Sequence, residues 1–456
     1  MYLSLAPIIV SIATFFRTIN NLPLRNWDEA WYAEITKNMA QGNYGTLMPF
    51  WNGRYYFDHP PLYFWLSFPF FKIFGEGLWQ TRIISTLAAV VCAYLVYLIA
   101  KKLFDKTTAI ISLLVFLTVG QVAMRFSHGN LDALLVCLFL ATFYFYLLAK
   151  DQKMYAVLAG VTFGLGILVK QWLLGLFPIL LIVIYSLLIR KKLDKSIPII
   201  VVVGILSCIW WFIAGAIKFG QPFVNWYLFS PTAGVFDKTL STFSLKYFYF
   251  ALRDFGLWLL PPVLLLLLFR PAHLEKKKLL ALLATASIFL FALNFLKEKL
   301  DWYNLPVYPL IAIIVGFASS QLIKLAKPAA ALILLILIGQ MINVVKIENI
   351  YPDRSKVGND LGIKASRIVP ENETLILDDH DFTAFLYYSN HHQIYMVQKE
   401  DPKVGEWWIL SYQDLPNFLK SHPDSWIVTP NPLRLPIEVK GQQIKGNFEG
   451  YDFVKL

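Results

Sequence analysis

Residues 197–217 read IPIIVVVGILSCIWWFIAGAI, with no charged side chain between Lys195 and Lys218. At about 1.5 Å per residue such a run covers roughly 30 Å, the thickness of bilayer hydrocarbon. In lipid every backbone polar group must be paired within the segment, which a helix achieves. The stretch, taken from 196 to 217, therefore reads as a transmembrane helix. Further apolar runs lie near 2–19, 79–100, 107–124, 131–149, 154–169, 172–189, 247–269, 279–296, 305–323 and 328–345. The expectation is a polytopic α-helical membrane protein with about 11 to 13 transmembrane helices.

The composition agrees. Of 456 residues, 57% are hydrophobic and only 16% charged, with 36 Phe, 23 Tyr and 14 Trp, against roughly 25% charged in a soluble domain. The excess of 41 Lys and Arg over 30 Asp and Glu sits mostly in short clusters between apolar runs, a topogenic placement that argues against a nucleic-acid partner. Cys92, Cys137 and Cys208 all fall inside apolar runs, with no spacing for a disulfide or a zinc ribbon. The apolar N-terminus lacks a basic leader and a small-residue cleavage site, so it reads as a retained first helix.

Loop charge orients the chain, because Lys and Arg accumulate on the cytoplasmic side. One alternate set of loops holds Lys101, Lys102 and Lys106; Lys150 and Lys153; Arg190, Lys191, Lys192 and Lys195; Arg270 with Lys276, Lys277 and Lys278; and Lys324 with Lys327. The opposite set holds the long segment 20–78, RFSHGNLD at 125–132, the 218–246 loop, KEKLDWYN at 297–304 and the tail from 346. This second set is predicted to face outward. The short apolar stretch from Pro60 to Gly75, broken by Pro69, is expected to lie in the interface or enter partway. Residues 1–345 thus form a membrane domain whose first outer loop is 20–78. From 346 to 456 the apolar runs give way to charge and turn residues. ETLILDD, HQIYMV, WWILS and SWIVTP read as strands, and DFTAFLYYS and QDLPNFLKS as short helices. A small extracytoplasmic α/β domain is expected there.

Ionisable groups near a membrane are costly to bury, so those gathered at helix mouths on one face are functional candidates. The outward set collects Asp28, Glu29, Glu34, Asp58, His59, Arg125, His128, Asp132, Lys170, Lys297, Glu298, Lys299 and Asp301. Simpler roles compete for each. Asp28 and Glu29 suit a helix N-terminus capped near Asn26 or Asp28, the helix running to Gln41. Asp132 suits a cap after Asn130, Lys170 and Lys299 suit snorkelling anchors, and Trp302 and Tyr303 suit an aromatic belt.

The string D-E-A-W-Y-A-E at 28–34, followed by F-D-H-P-P-L at 57–62 after G-R-Y-Y, resembles the first outer loop of the dolichyl-phosphate-mannose protein mannosyltransferase superfamily. L-V-K-Q-W at 168–172 and K-L-D-W-Y-N-L-P-V-Y-P at 299–309 are similar to further segments of its bacterial branch, which includes lipid A 4-amino-4-deoxy-L-arabinose transferase. The resemblance implies a GT-C fold and an inverting transfer of a monosaccharide from a polyprenyl-phosphate carrier to a lipid, glycan or protein acceptor. It places the catalytic acid at Asp28 and a second aspartate at Asp132, with Glu29 beside the first. Either aspartate could serve as general base. Lys170, Lys299 and Tyr303 would hold the carrier phosphate, whose developing charge needs fixed cations and donors, with Arg82, Arg125 and His59 as further candidates. The motif carries Arg where this chain has Trp31, and Glu-Lys where it has Asp58 and His59, so part of the clamp differs. The resemblance makes no cofactor certain and leaves a divalent metal ion as the candidate. A divalent metal ion held by Asp58 and His128, with His59, would need three or four converging ligands.

The resemblance also implies a multi-pass protein of the cell (plasma or inner) membrane, with its active site facing outside or the periplasm and with membrane lipids as neighbours. A transporter or flippase of lipid-linked sugars would need phosphate-binding cations too. Transporters, however, usually show duplicated halves with broken helices in matching positions, and neither is visible in the sequence.

Overall fold

The computed structural model describes residues 5–42, 44–170, 172–229, 243–268, 272–296, 299–349, 353–379, 382–399, 401–402, 406–435, 443–448 and 450–455. Helices α1 (Leu5–Phe16), α2 (Asp28–Gln41), α3 (Leu62–Phe74), α4 (Leu78–Leu103), α5 (Lys106–Leu117), α6 (Gly120–Phe126), α7 (Asp132–Leu148) and α8 (Met154–Ile167) come first. They are followed by α9 (Trp172–Gly175), α10 (Phe177–Arg190), α11 (Ser196–Phe219), α12 (Gln221–Val224), α13 (Lys246–Phe255), α14 (Leu260–Leu268), α15 (His273–Leu293), α16 (Tyr308–Leu325) and α17 (Ala329–Asn349).

Among the described residues, every apolar run read from the sequence contains helix, but several are interrupted. Five described helices are long and apolar enough to cross a bilayer unaided, and α5 with α6 makes a sixth if their 69° bend is one broken span. The run expected over 107–124 breaks at Thr118, whose hydroxyl turns back to the Leu114 carbonyl (2.7 Å) and accepts from the Trp258 indole (2.9 Å). The run at 172–189 restarts at Phe177, which puts Pro178 in the first turn, where its missing N–H does no harm. Within the stretch 60–75 lies one helix, α3 (Leu62–Phe74), with Pro69 inside it.

The chain divides into two compact units. The first comprises 1–20, 57–66 and 82–350. Within it, α8 and α11 approach through small residues. A methyl group added at Gly164 would lie 2.3 Å from the Gly204 carbonyl oxygen and 2.8 Å from Ser207 Cβ. Close backbone approach of this kind drives helix association in lipid. Gly164→Val is accordingly expected to destabilise the protein by about 1–3 kcal/mol, read as a lower melting temperature in detergent, while Leu206→Val on the exposed side of α11 leaves it unchanged.

The second unit comprises 21–56, 67–81 and 351–456. Strands β1 (Phe50–Trp51) and β2 (Arg54–Tyr55) form a hairpin. A six-stranded mixed sheet is built from β3 (Thr374–Leu377), β4 (Ile394–Gln398), β5 (Ile409–Ser411), β6 (Ser425–Thr429), β7 (Gln443–Phe448) and β8 (Tyr451–Lys455), in the order β5-β4-β3-β6-β8-β7. Helices α18 (Asp353–Ile368), α19 (Phe382–Ser389) and α20 (Leu415–Ser421) accompany it. The four strands and two short helices expected from sequence are present; α18 and the β7–β8 hairpin were not anticipated. Leu24, Ala30, Ala33, Phe71, Ala384 and Tyr387 make one core of this unit.

Candidate active site

In the first unit, Asp132 opens α7 and lies between two cations. Its Oδ2 accepts from Arg125 Nη2 at 2.9 Å and its Oδ1 from Lys170 Nζ at 2.9 Å. All three side chains are at most 12% exposed. Asp132 is aimed by its neighbour: its N–H donates to Asn130 Oδ1 (2.9 Å), and the Asn130 backbone is tied to the Ser85 hydroxyl in both directions. Aromatic faces complete the cluster, with the Arg125 guanidinium 4.2 Å from the Trp302 ring centre and Lys170 Nζ 5.2 Å from that of Tyr303. The expected partners Arg125, Asp132, Lys170 and Tyr303 therefore converge, and Trp302 joins them as more than a belt residue.

Electrostatically the cluster has two cations for one carboxylate in a site that excludes most water. Such a site favours a second anion, for which charge-assisted hydrogen bonds are strong. Asp132 has both oxygens engaged, so it is better suited to holding Arg125 and Lys170 in place than to taking a proton. His59 feels both Lys170 and Asp132; burial first, and then Lys170, lower its pKa to about 3. It is a neutral imidazole, not the cation that stands at the corresponding motif position. Burial raises Asp58 to about 6.

The remaining candidates make other bonds. Lys299 Nζ donates to the Leu296 carbonyl at 2.8 Å. The fully buried Arg82 reaches the Thr18 and Ile19 carbonyls just beyond α1, at 3.4 and 3.3 Å, contacts that tie α4 to the end of α1. His128 Nδ1 meets the Met124 carbonyl. Among the described residues no group of three His, Cys, Asp or Glu could hold a metal ion. Lys297, Glu298 and most of the FSPTAGVFDK loop lie outside the described residues. Asp301, among the outward candidates, has partners that the sequence reading did not name: it accepts from Gln121 (3.2 Å) and Arg253 (3.0 Å), and Tyr308 donates to Asp254 (2.5 Å). Lone Arg and Asp residues in an apolar helix were the available signal.

Asp28 belongs to the second unit. It opens α2 after Trp27, which holds a left-handed φ of 66°, a conformation that costs energy for a bulky residue and persists where surroundings enforce it. Here the enforcement comes from α19: Trp27 N–H donates to Thr383 Oγ1 (2.6 Å), and Asn26 Oδ1 accepts from Ala384 N–H (3.1 Å). The N-cap is therefore Trp27, with no side-chain cap bond, and neither Asn26 nor Asp28 as expected. Glu29 is buried and accepts from the Arg25 backbone at 2.8 Å, which holds the turn. Trp31, standing where an Arg was expected, stacks on Trp51 at 4.1 Å with Trp408 and Tyr56 around it. That position is filled by packing, not charge.

Residues 58–213 match the family model described as dolichyl-phosphate-mannose-protein mannosyltransferase. The chain is similar to that family over this segment, about a third of its length. The matched segment contains Asp58, His59, Arg82, Arg125, His128, Asp132 and Lys170, and leaves Asp28 outside it. A relative in Pseudomonas savastanoi pv. phaseolicola, named undecaprenyl phosphate-alpha-4-amino-4-deoxy-L-arabinose arabinosyl transferase, is 31% identical over 196 residues, which is 41% of this chain and 36% of the relative. The match thus spans about a third of that relative's length. An uncharacterized protein of Aquifex aeolicus is 26% identical over 313 residues, 66% of this chain and 60% of its own. Among solved structures, ArnT from Cupriavidus metallidurans bound to undecaprenyl phosphate superposes with a TM-score of 0.75 at 18% identity, covering 99% of this chain and 97% of that one. The Archaeoglobus fulgidus oligosaccharyltransferase in its apo form gives 0.62 at 13%, covering 93% and 69%. At these identities the likeness is one of fold: the chain shares the architecture of these GT-C membrane enzymes, with several helices long and apolar enough to cross a bilayer.

Proposed function

We propose that the protein is an integral membrane glycosyltransferase that moves a monosaccharide from a polyprenyl-phosphate carrier to a lipid, glycan or protein acceptor on the extracytoplasmic face. The observation that carries this reading is the buried Arg125–Asp132–Lys170 cluster, an anion site built within the segment that matches the family. The carrier phosphate is the anion it would take. As the anomeric C–O bond to the carrier breaks, charge grows on that phosphate, and Lys170 and Arg125, held by Asp132, stabilise it. The acceptor hydroxyl or amine attacks the anomeric carbon from the opposite side, so the configuration inverts. Its proton passes to a carboxylate, and free polyprenyl phosphate leaves. Asp28 takes the role of base on the family resemblance. Residues 1–345 would make the membrane domain with its outer loop 20–78, and 346–456 a soluble extracytoplasmic domain.

The test is reconstitution in liposomes with a polyprenyl-phosphate donor carrying a labelled pentose or hexose, and envelope lipids as acceptors. Labelled acceptor of inverted anomeric configuration should appear in step with free polyprenyl phosphate. Movement of intact labelled donor between leaflets without release of polyprenyl phosphate would instead mark a flippase.

A further inference from the structure

The parallel part of the six-stranded sheet runs β5-β4-β3-β6. The chain passes from β3 outward through β4 and β5, then returns to β6 on the other side of β3, so the winding reverses there. In open sheets wound this way, ligands bind beyond the carboxyl ends of the strands at the reversal. Helix α19 begins at that end of β3, with Phe382.

The first turn of α19 is bonded instead to the chain's own Asn26 and Trp27. Thr383 Oγ1 accepts from the Trp27 N–H at 2.6 Å. The Ala384 N–H, one of the donors that a helix leaves unpaired at its start, donates to Asn26 Oδ1 at 3.1 Å. These partners stand 356 and 358 residues apart in sequence. Thr383 and Ala384 are buried, so water is no ready substitute for either bond.

The far end of α19 is tied to the same helix, α2. Lys37 Nζ donates to the Tyr387 carbonyl and to Asn390 Oδ1, each at 3.0 Å, a cation at the helix C-terminus, where the dipole favours it. Between the two ends, Ala30 and Ala33 of α2 pack with Ala384 and Tyr387. Phe382 stands edge-on to Trp27 (5.9 Å) and to Trp51 (6.0 Å). Bonds at both ends, with small residues between, fix α2 against α19 in one register.

That register matters at one residue. Asp28 directly follows Trp27, whose φ of 66° is held against a steric cost. Without its acceptor on Thr383, the Trp27 backbone would relax and turn the Asp28 side chain to a new direction. We propose that α19 of the C-terminal segment aims the acid of the first loop, with Thr383 and Asn26 as positioning residues for Asp28. The inference rests on the reading of Asp28 as the base. A displacement of about 1 Å at a reacting group can cost roughly 10²-fold in rate.

Steady-state transfer by the full chain in liposomes, with the labelled polyprenyl-phosphate donor, tests it. Thr383→Val is nearly isosteric but lacks the acceptor. It should lower kcat by about 10- to 100-fold and change KM for the donor, whose phosphate Arg125 and Lys170 hold, by less than about twofold. Thr383→Ser keeps the hydroxyl and should stay within about threefold of the parent. Thr429→Val removes another buried hydroxyl of the same unit, the donor to Asp378 at 2.7 Å, and should keep the parent kcat. In an Asp28→Asn background, Thr383→Val should lower the remaining rate by less than about twofold, because its effect passes through the missing carboxylate. Should Thr383→Val fail to fold, Asn26→Ala, on a half-buried side chain, should still lower kcat by about five- to twentyfold, and a folded Asn26→Ala at the parent rate would count against the proposal equally. A folded Thr383→Val with the parent kcat, a loss matched by Thr429→Val, or a full further loss on top of Asp28→Asn would each overturn the positioning role alone. A parent rate in Asp28→Asn would instead remove the base assignment, and this inference with it.

Discussion

Asp28→Asn is expected to lose sugar transfer by about 10²–10⁴-fold, the usual contribution of a positioned general base, while melting like the parent in detergent. The substitution keeps the shape of the side chain. It leaves untouched the bonds that set the turn, from Trp27 to Thr383 and from Ala384 to Asn26. If Asp28 served only the α2 dipole, the change would cost under about 1 kcal/mol of stability and leave the rate intact. Initial rates at saturating donor, read beside a melting curve, separate the two. A variant that transfers at the parent rate would remove Asp28 from the chemistry.

Two substitutions in the cation cluster should part in opposite ways. Asp132→Ala leaves Arg125 and Lys170 buried together without their anion, and removing one partner of a buried pair costs about 3–5 kcal/mol. Much of that protein should fail to reach the membrane folded, and what does should melt far lower. Lys170→Met keeps the bulk of the side chain and leaves Arg125 paired with Asp132 at 2.9 Å. Its stability should change by less than about 1.5 kcal/mol, whereas transfer should fall roughly 10²–10³-fold through loss of a fixed charge at the leaving group. A stable Lys170→Met with full activity would show that the cluster only holds α7 to the end of α8.

The helices were legible because hydropathy is a local property: each apolar run declares itself without reference to the rest of the chain. Their breaks were not. The bend at Thr118 is stapled by Trp258, 140 residues away, and nothing near Thr118 announces it. The strands of the central sheet could be read from short apolar segments, but β7 and β8 alternate polar and apolar residues too irregularly to stand out. Loop charge brought Asp132 and Lys170 to one side as expectations. That they meet, across 38 residues, depends on helix packing. The aromatic cluster of Trp31, Trp51 and Trp408 is equally non-local, and it explains why the arginine of the related motif can be absent without leaving a hole. Left-handed Trp27 had no sequence signal at all, since the backbone there is set by α19.

Under the proposed function, the bend between α5 and α6 also bears on how deep a lipid-linked donor would travel. Taken along the bilayer normal, the 12 residues of α5 cover roughly 18 Å, leaving about 12 Å of a roughly 30 Å hydrocarbon layer uncrossed. There α6 turns aside by 69° and carries Arg125 with it. In that orientation the guanidinium would be supplied at the level of lipid tails. A carrier phosphate that sinks to this level leaves its polyprenyl chain in oil, and each five-carbon unit spared from water avoids about 4 kcal/mol.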